Sequence, residues 1–290
     1  MCTSMTLPTP DGHRLFGRTL DLDTHFGERV VLTSADRAVV RSGRPLLHLR
    51  YDLLGMAAVE DGYPLYAEAM NRAGLCMAGL RFADNAYYPE RPTEGKHSLA
   101  PWELIPYLLG RCATVDEARG ALEGISLVNL PFSEHIPAAP LHWHIADADA
   151  SHGELVVEST EAGLRVYENP VGVLTNDPAF PIQMERLPAA ELPGDYTSAA
   201  RFVRAATLRR AVATWMTQGQ GQTAERAMGV SSVDQFFRIL GAVAPMAGAV
   251  LTPQGRAHRT LYTCCMDGAA GIYRYFTEED TTVRTVGFTQ

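Results

Sequence analysis

Met1-Cys2-Thr3-Ser4-Met5-Thr6-Leu7, then the turn Pro10-Asp11-Gly12, then Phe16-Gly17-Arg18-Thr19-Leu20-Asp21: this opening decides the fold. Two short runs flank a Pro-Asp-Gly turn, the pattern of a β-hairpin that begins at the terminus itself. The residue after the initiator is small, so Met1 is expected to be trimmed and the mature chain to begin at Cys2. One residue would then carry a thiol and a free α-amine. The amine titrates near ~7.7–8.0 and is a usable base at neutral pH. A thiol becomes a better thiolate beside a cation, which Arg18 across the hairpin can supply. Asp21 can hold the amine by a charge-assisted hydrogen bond. A nucleophile with its base in the same residue follows the logic of N-terminal threonine enzymes. On Met-Cys alone, a small buried thiol with no chemistry is the more common outcome.

The chain has 290 residues, enough for a large core, with 46% apolar and 20% charged residues, ordinary for a globular protein. A net charge of −8 and the absence of a basic cluster interleaved with aromatics argue against nucleic acid as a partner. No apolar run reaches the ~18–20 residues that span a bilayer, and no signal peptide is visible. The expectation is a cytoplasmic protein with no membrane partner. Cys2, Cys76, Cys112, Cys264 and Cys265 are odd in number and scattered. They match no zinc spacing, so no metal or other cofactor is expected. Cys76 and Cys112 read as buried thiols; Cys264 and Cys265 should point to opposite faces of a strand.

Along the chain, strands are expected at 29–33, 39–41, 46–54, 56–59 and 64–70. The turn Asn71-Arg72-Ala73-Gly74 leads to an apolar strand at 75–82, of the kind covered on both faces. Helices follow at 101–111, opened by Pro101, and at 115–122, where Thr114 and Glu117 form a capping-box pair. Strands at 141–147, 154–159, 164–168 and 171–174 precede Thr175-Asn176-Asp177-Pro178. The clearest helix is Ser198 to Met216, with Phe202, Ala205, Leu208, Val212 and Trp215 at helical spacing. A shorter one, 231–243, is capped by Ser231 or Ser232. Strands at 259–266, 271–276 and 282–286 close the chain. Blocks of strands alternating with blocks of helices suit two stacked sheets covered by helices. The lack of a repeat or linker favours one domain over residues 1–290.

Several stretches together resemble the choloylglycine hydrolase family, the N-terminal-nucleophile hydrolases that comprise penicillin V acylases and conjugated bile salt hydrolases. They are Met1-Cys2-Thr3, Phe16-Gly17-Arg18-Thr19-Leu20-Asp21, Asn71-Arg72-Ala73-Gly74-Leu75 with Ala78-Gly79-Leu80, Leu141-His142-Trp143, Val173-Leu174-Thr175-Asn176 and the run Ser198 to Arg204. The resemblance implies an α+β, four-layer αββα sandwich that hydrolyses a linear amide. It implies Cys2 as nucleophile, Arg18 as the cation tuning its thiol, Asp21 as the carboxylate on the amine, Asn176 as an oxyanion-hole amide and Arg201 as an active-site arginine. Preorganised N–H donors would meet the oxyanion that sulfur attack creates. The acyl group would rest on Cys2 as a thioester until a water deprotonated by the α-amine releases it.

The chain departs from the family pattern twice. Arg81 stands directly after Gly79-Leu80, where relatives carry Asn (bile salt type) or Tyr (penicillin type) and use the main-chain N–H as a second oxyanion donor. The missing Asn tilts the reading towards a penicillin V acylase, with conjugated bile salt hydrolase and acyl-homoserine-lactone acylase as alternatives. A non-catalytic binder that keeps the pocket is the alternative from another class. The partner in each case is a small N-acyl amide, met by loops near 23–26, 60–65 and 137–141. The interval from Asn176 to Arg201 is also short where tetrameric relatives carry an assembly loop, which points to a homo-oligomer smaller than theirs, a dimer.

Overall fold

The opening hairpin forms as its sequence predicts: β1 (Cys2–Pro8) pairs antiparallel with β2 (Arg14–Leu22), Cys2 opposite Leu20 and Ser4 opposite Arg18. Gly12 in the turn has φ +86°, which glycine adopts without steric cost. Gly17 is needed for a different reason. A Cβ there would lie 2.1 Å from the main-chain oxygen of Cys264 on the neighbouring strand. The protein is represented by a computed structural model that describes residues 1–36, 47–187, 192–217, 231–252 and 254–289.

The hairpin is the centre of a six-stranded antiparallel sheet. Its order is β12 (Val173–Leu174), β1, β2, β13 (Arg259–Asp267), β14 (Ile272–Thr277), β15 (Arg284–Gly287). A seven-stranded antiparallel sheet stacks against it. Its order is β11 (Gly163–Glu168), β10 (Leu155–Thr160), β9 (Leu141–Ala146), β6 (Cys76–Arg81), β5 (Tyr63–Asn71), β4 (Leu53–Glu60), β3 (Arg29–Thr33). Period-2 alternation divides β6 between two cores. Cys76, Ala78 and Leu80 face the first sheet, while Met77 packs under helices α1 (Leu104–Leu109) and α2 (Val115–Glu123). That is the two-faced burial its apolar run implied. On the far side, α4 (Ser198–Thr217) lies on β1 and α5 (Ser232–Gly241) on β13. The four layers are α, β, β, α, as expected, with a short helix α3 (Phe180–Met184) between β12 and α4.

Differences from the sequence reading are local. The strand expected over 46–54 begins only at Leu53. Ahead of it the Arg50 amide donates to the Gly110 carbonyl at 2.6 Å, and Leu49 is buried in the helix-covered core. Leu49 and Arg50 therefore pack against the end of α1, and the regular strand starts only after them. Thr114 caps α2 through the Glu117 amide, but the Glu117 carboxylate reaches Ala113, one residue before the cap. Two features had no sequence signal: α3, and a parallel pair β7 (His97–Leu99) and β8 (Ile125–Leu127). The strand expected at 39–41 lies outside the described residues. All five cysteines are buried thiols. No helix among the described residues is long and apolar enough to cross a membrane.

Candidate active site

The site forms where two strands of the second sheet part. Pairing of β5 with β6 runs from Met70–Cys76 to Glu68–Ala78 and stops. Beyond it the Gly79 and Ala67 carbonyls face a gap, and Arg18 fills that gap from the first sheet. Its Nη1 donates to Gly79 at 2.6 Å and to Ala67 at 3.3 Å, while Nε donates to the Thr19 carbonyl at 3.2 Å. Burial works against the guanidinium charge. Cys2, Tyr262, Glu68 and Cys264 outweigh it and carry the Arg18 pKa above its ordinary value. Arg18 is 1% exposed, and alternation along β1 and β2 puts it on the same face as Cys2.

Cys2 borders a cavity of about 740 Å³ with Arg18 on one side and Arg81 on another, within the ~300–1,000 Å³ range of ligand pockets. Apart from these polar groups its wall is mainly apolar: Leu20, Phe26, Leu65, Trp102, Ile105 and Leu141 among others. The three loops expected to line it all contribute, through Phe26, Glu60 with Leu65, and Pro137 with Leu141. Among the described residues no group of three or more His, Cys, Asp or Glu side chains could hold a metal ion.

Asn176 follows β12, the edge strand paired with β1, and its neighbours fix its amide. Oδ1 accepts from the Cys2 amide at 2.8 Å and from Arg201 Nη2 at 2.8 Å. Nδ2 then faces the Arg81 carbonyl at 2.8 Å. An amide nitrogen carries two hydrogens, and that contact uses one. Below, Ser198 Oγ accepts from the Asn176 amide at 2.9 Å, and Gln183 donates to the Asn176 carbonyl. Arg201, fully buried, also bonds the Cys2 carbonyl and, at 2.8 Å, Thr3 Oγ1. It is not one more solvated helix charge.

Arg81 ends β6 with its side chain exposed at the cavity mouth. The Phe82 amide bonds the Pro140 carbonyl on the β9 side. Strand alternation then turns the Arg81 N–H away from β9, towards the gap beside Cys2.

Asp21 stands on the other face of β2. Its carboxylate accepts from Thr19 at 3.2 Å and from Thr260 at 2.7 Å. With Met1 in place, the terminal amine donates to the Asp21 main-chain carbonyl at 2.5 Å, so the expected amine–carboxylate bond is not the one formed. The amine sits one residue too far out. Burial lowers its pKa against the opposing pull of Cys2 and Asp21.

The sequence reading missed what stands behind these residues. Glu68 accepts from Tyr262 and Tyr273, both at 2.7 Å, and lies 3.7 Å from Arg18. The signal was a single carboxylate inside the apolar strand Tyr-Pro-Leu-Tyr-Ala-Glu-Ala-Met. Ser198 and Gln183 carried no comparable mark. His258, beside the hairpin's open end, has its pKa lowered by burial and then by the terminal amine, with Arg81 adding to the effect.

A four-layer sandwich with a cysteine at the start of its central hairpin, in a mainly apolar pocket, defines an amidohydrolase of the N-terminal-nucleophile fold. The particular family follows from comparison. The model of the linear amide C–N hydrolases, choloylglycine hydrolase family, matches residues 2–189 and 187–290, and the chain belongs to that family. It is 34% identical to a bile salt hydrolase/transferase of Lactiplantibacillus plantarum, over 99% of this chain and 92% of the relative. The crystal structure of the C2A mutant of conjugated bile acid hydrolase from Clostridium perfringens superposes with a TM-score of 0.90 at 31% identity, covering 99% of this chain and 92% of that one. A penicillin V acylase of Pectobacterium atrosepticum is 31% identical, but over 52% of this chain and 40% of its own length. The protein is an enzyme that acts on linear amides, and the comparisons favour the bile salt alternative over the penicillin V reading that Arg81 suggested.

Proposed function

We propose that this chain hydrolyses the amide bond of conjugated bile salts. The observation that carries the reading is the extent of likeness. In sequence, relatives named as bile salt hydrolases match along nearly the whole chain, whereas the penicillin V acylase of Pectobacterium atrosepticum matches about half of it. A penicillin V acylase from Agrobacterium tumefaciens that covers the whole chain is only 20% identical, a likeness of fold alone. The mainly apolar cavity beside Cys2 suits a rigid, hydrophobic acyl group.

In the mechanism we infer, Met1 is removed. The Cys2 nitrogen, now a primary amine, keeps Asn176 Oδ1 as its acceptor at 2.8 Å and takes the thiol proton. The Cys2 sulfur attacks the amide carbon. The oxyanion is met by the second hydrogen of Asn176 Nδ2 and the Arg81 main-chain N–H, while the bond to the amino-acid leaving group breaks and that nitrogen receives the proton. Water, deprotonated by the same amine, then opens the thioester and frees Cys2. Arg18 favours the thiolate, and Arg201 locks Cys2 and Asn176 to one another. Asp21, whose charge already acts on the Met1 amine, is the carboxylate we assign to hold the new amine.

The test is a turnover panel with glyco- and tauro-conjugated bile salts, penicillin V and acyl-homoserine lactones. Higher kcat/KM for the bile salts is expected; higher kcat/KM for penicillin V or a lactone would replace this reading. The dimer expected from the short Asn176–Arg201 interval is a proposal as well, and light scattering at working concentration checks it.

A further inference from the structure

We propose that Glu68 is a positioning residue for the reaction that acts through Arg18: as that guanidinium's counter-charge, its buried carboxylate sets how strongly Arg18, held by the carbonyls of the gap, stabilises the Cys2 thiolate. The inference rests on Cys2 being the nucleophile.

Glu68 is fully buried between the two sheets. Every titratable group found to act on it favours its charged form. Arg18 on β2 lies 3.7 Å from Oε2. Tyr262 on β13 donates to Oε2 at 2.7 Å, Tyr273 on β14 donates to Oε1 at 2.7 Å, and the Cys264 thiol points at Oε1 from 3.6 Å. Both oxygens are thus acceptors, as in a carboxylate. Burial opposes them and raises the Glu68 pKa, while Arg18 first, and then the two hydroxyls and the thiol, pull it the other way.

The geometry has two consequences. First, the contact to Arg18 is an ion pair without a hydrogen bond, because Nη1 is already committed to Gly79 and Ala67. Glu68 therefore acts on Arg18 mainly through charge, while the carbonyls of the gap hold its shape. Second, Arg18 interacts with both Glu68 and the Cys2 sulfur. In low-dielectric surroundings the carboxylate cancels part of the field that Arg18 exerts on the sulfur. Glu68 would then weaken the pull of Arg18 on the Cys2 sulfur. A thiolate of too low a pKa is a poorer nucleophile, so a moderated Arg18 serves attack on an unactivated amide better than a bare one.

The experiment reads the Cys2 thiol without any substrate. Alkylation by iodoacetamide is followed against pH in the mature protein, with Cys2→Ala as the blank for the four other thiols. Glu68→Gln keeps the shape and removes the charge. Its alkylation profile should move about one unit to lower pH, making alkylation roughly three- to tenfold faster on the acid side. A folded Glu68→Gln whose profile coincides with the parent's, or moves up, overturns the proposal. If that variant does not fold, Tyr273→Phe decides. It removes one donor, makes the carboxylate easier to protonate, and should shift the profile the same way by less; no shift overturns the proposal. Since alkylation needs no substrate, it stands apart from the turnover panel, and bile salt turnover surviving in Cys2→Ala would instead sink the nucleophile itself.

Discussion

The hairpin Cys2–Leu22 carries a buried charge cluster at each end, and the two are built on different terms. At the open end, Arg18 faces Glu68 and Cys2 beside a cavity. Near the turn, Glu154 gathers Arg14 at 3.2 Å, Arg209 at 3.3 Å, Thr6 at 2.8 Å and His144 at 3.0 Å. Further donors of the second cluster are also taken up. Arg14 bonds the His152 carbonyl at 2.6 Å, Arg209 bonds the Thr6 carbonyl at 2.7 Å, and Ser4 closes on His144 Nδ1 at 3.0 Å. Every charge there is satisfied within the protein, which is how a buried ionic network holds a fold. At the open end, Cys2, one hydrogen of Asn176 and the Arg81 N–H are left facing the gap. Unspent hydrogen-bonding capacity beside a cavity, rather than charge alone, separates a site from a tie.

Breaking each end should therefore break a different property. Cys2→Ala should lower turnover by about 10⁴-fold or more while the melting temperature stays near the parent's, since one small side chain at a cavity wall is all that is removed. Protein that keeps Met1 should be equally silent, which intact mass and a single assay show. Activity from Met1-bearing protein would remove the amine from the mechanism.

Glu154→Ala should do the reverse. It leaves the buried Arg14 and the half-buried Arg209 without their shared anion, a loss of about 3–5 kcal/mol, visible in denaturant unfolding, while kcat/KM of the folded fraction stays within about threefold. The same cluster sets an acid limit. Glu154 is disfavoured by burial, yet His144, Arg209 and Arg14 bring its pKa down to about 2. Its contribution is present above the ordinary carboxyl value of ~4.3 and is lost as pH falls from there towards 2. Burial lowers the His144 pKa, so the folded protein holds that imidazole neutral. Its share begins to go earlier, as pH falls through ~6.5. Urea midpoints from pH 7 to 3 should fall in the parent and fall less in Glu154→Gln. Parallel slopes would show that other groups carry the acid sensitivity.

How far the sequence was legible follows the same division. Local motifs could be read: Cys2 at a strand start, the Pro-Asp-Gly turn of the hairpin, and Thr175-Asn176 after a short strand. So could the unbroken apolar run of β6 and the helical spacing of apolar residues in α4, and with them the layer order. Partners reached across the sheets could not, because contacts such as Glu68–Tyr262 and Glu154–Arg14 join residues about 140 to 200 positions apart. Periodicity within one segment says which face is buried, not what it meets. The tilt towards penicillin V rested on the side chain at Arg81. That was the weakest place to rest it, since the group that faces the gap there is the main chain.

Arg81 is where the smallest effect is expected and where the comparison can be sharpened most. Its carbonyl is bound by Asn176 and its N–H is directed at the gap, yet its guanidinium is exposed at the mouth. Replacing the side chain leaves the backbone donor in place, so kcat should hold. Glycine and taurine leaving groups carry an anion that would emerge past this cation, and an exposed pair of that kind is worth ~0–1 kcal/mol. Arg81→Ala should therefore reduce kcat/KM for glyco- and tauro-conjugates by about two- to fivefold at low salt, through KM. The difference should fade as ionic strength rises and the Debye length shrinks towards ~3 Å at 1 M. Arg81→Asn tests the family pattern directly: if it matches Arg81→Ala, the side chain supplies only charge. A fall in kcat that salt does not touch would mean instead that the guanidinium acts on the reacting amide, and the boundary between site and surface would move outward to include it.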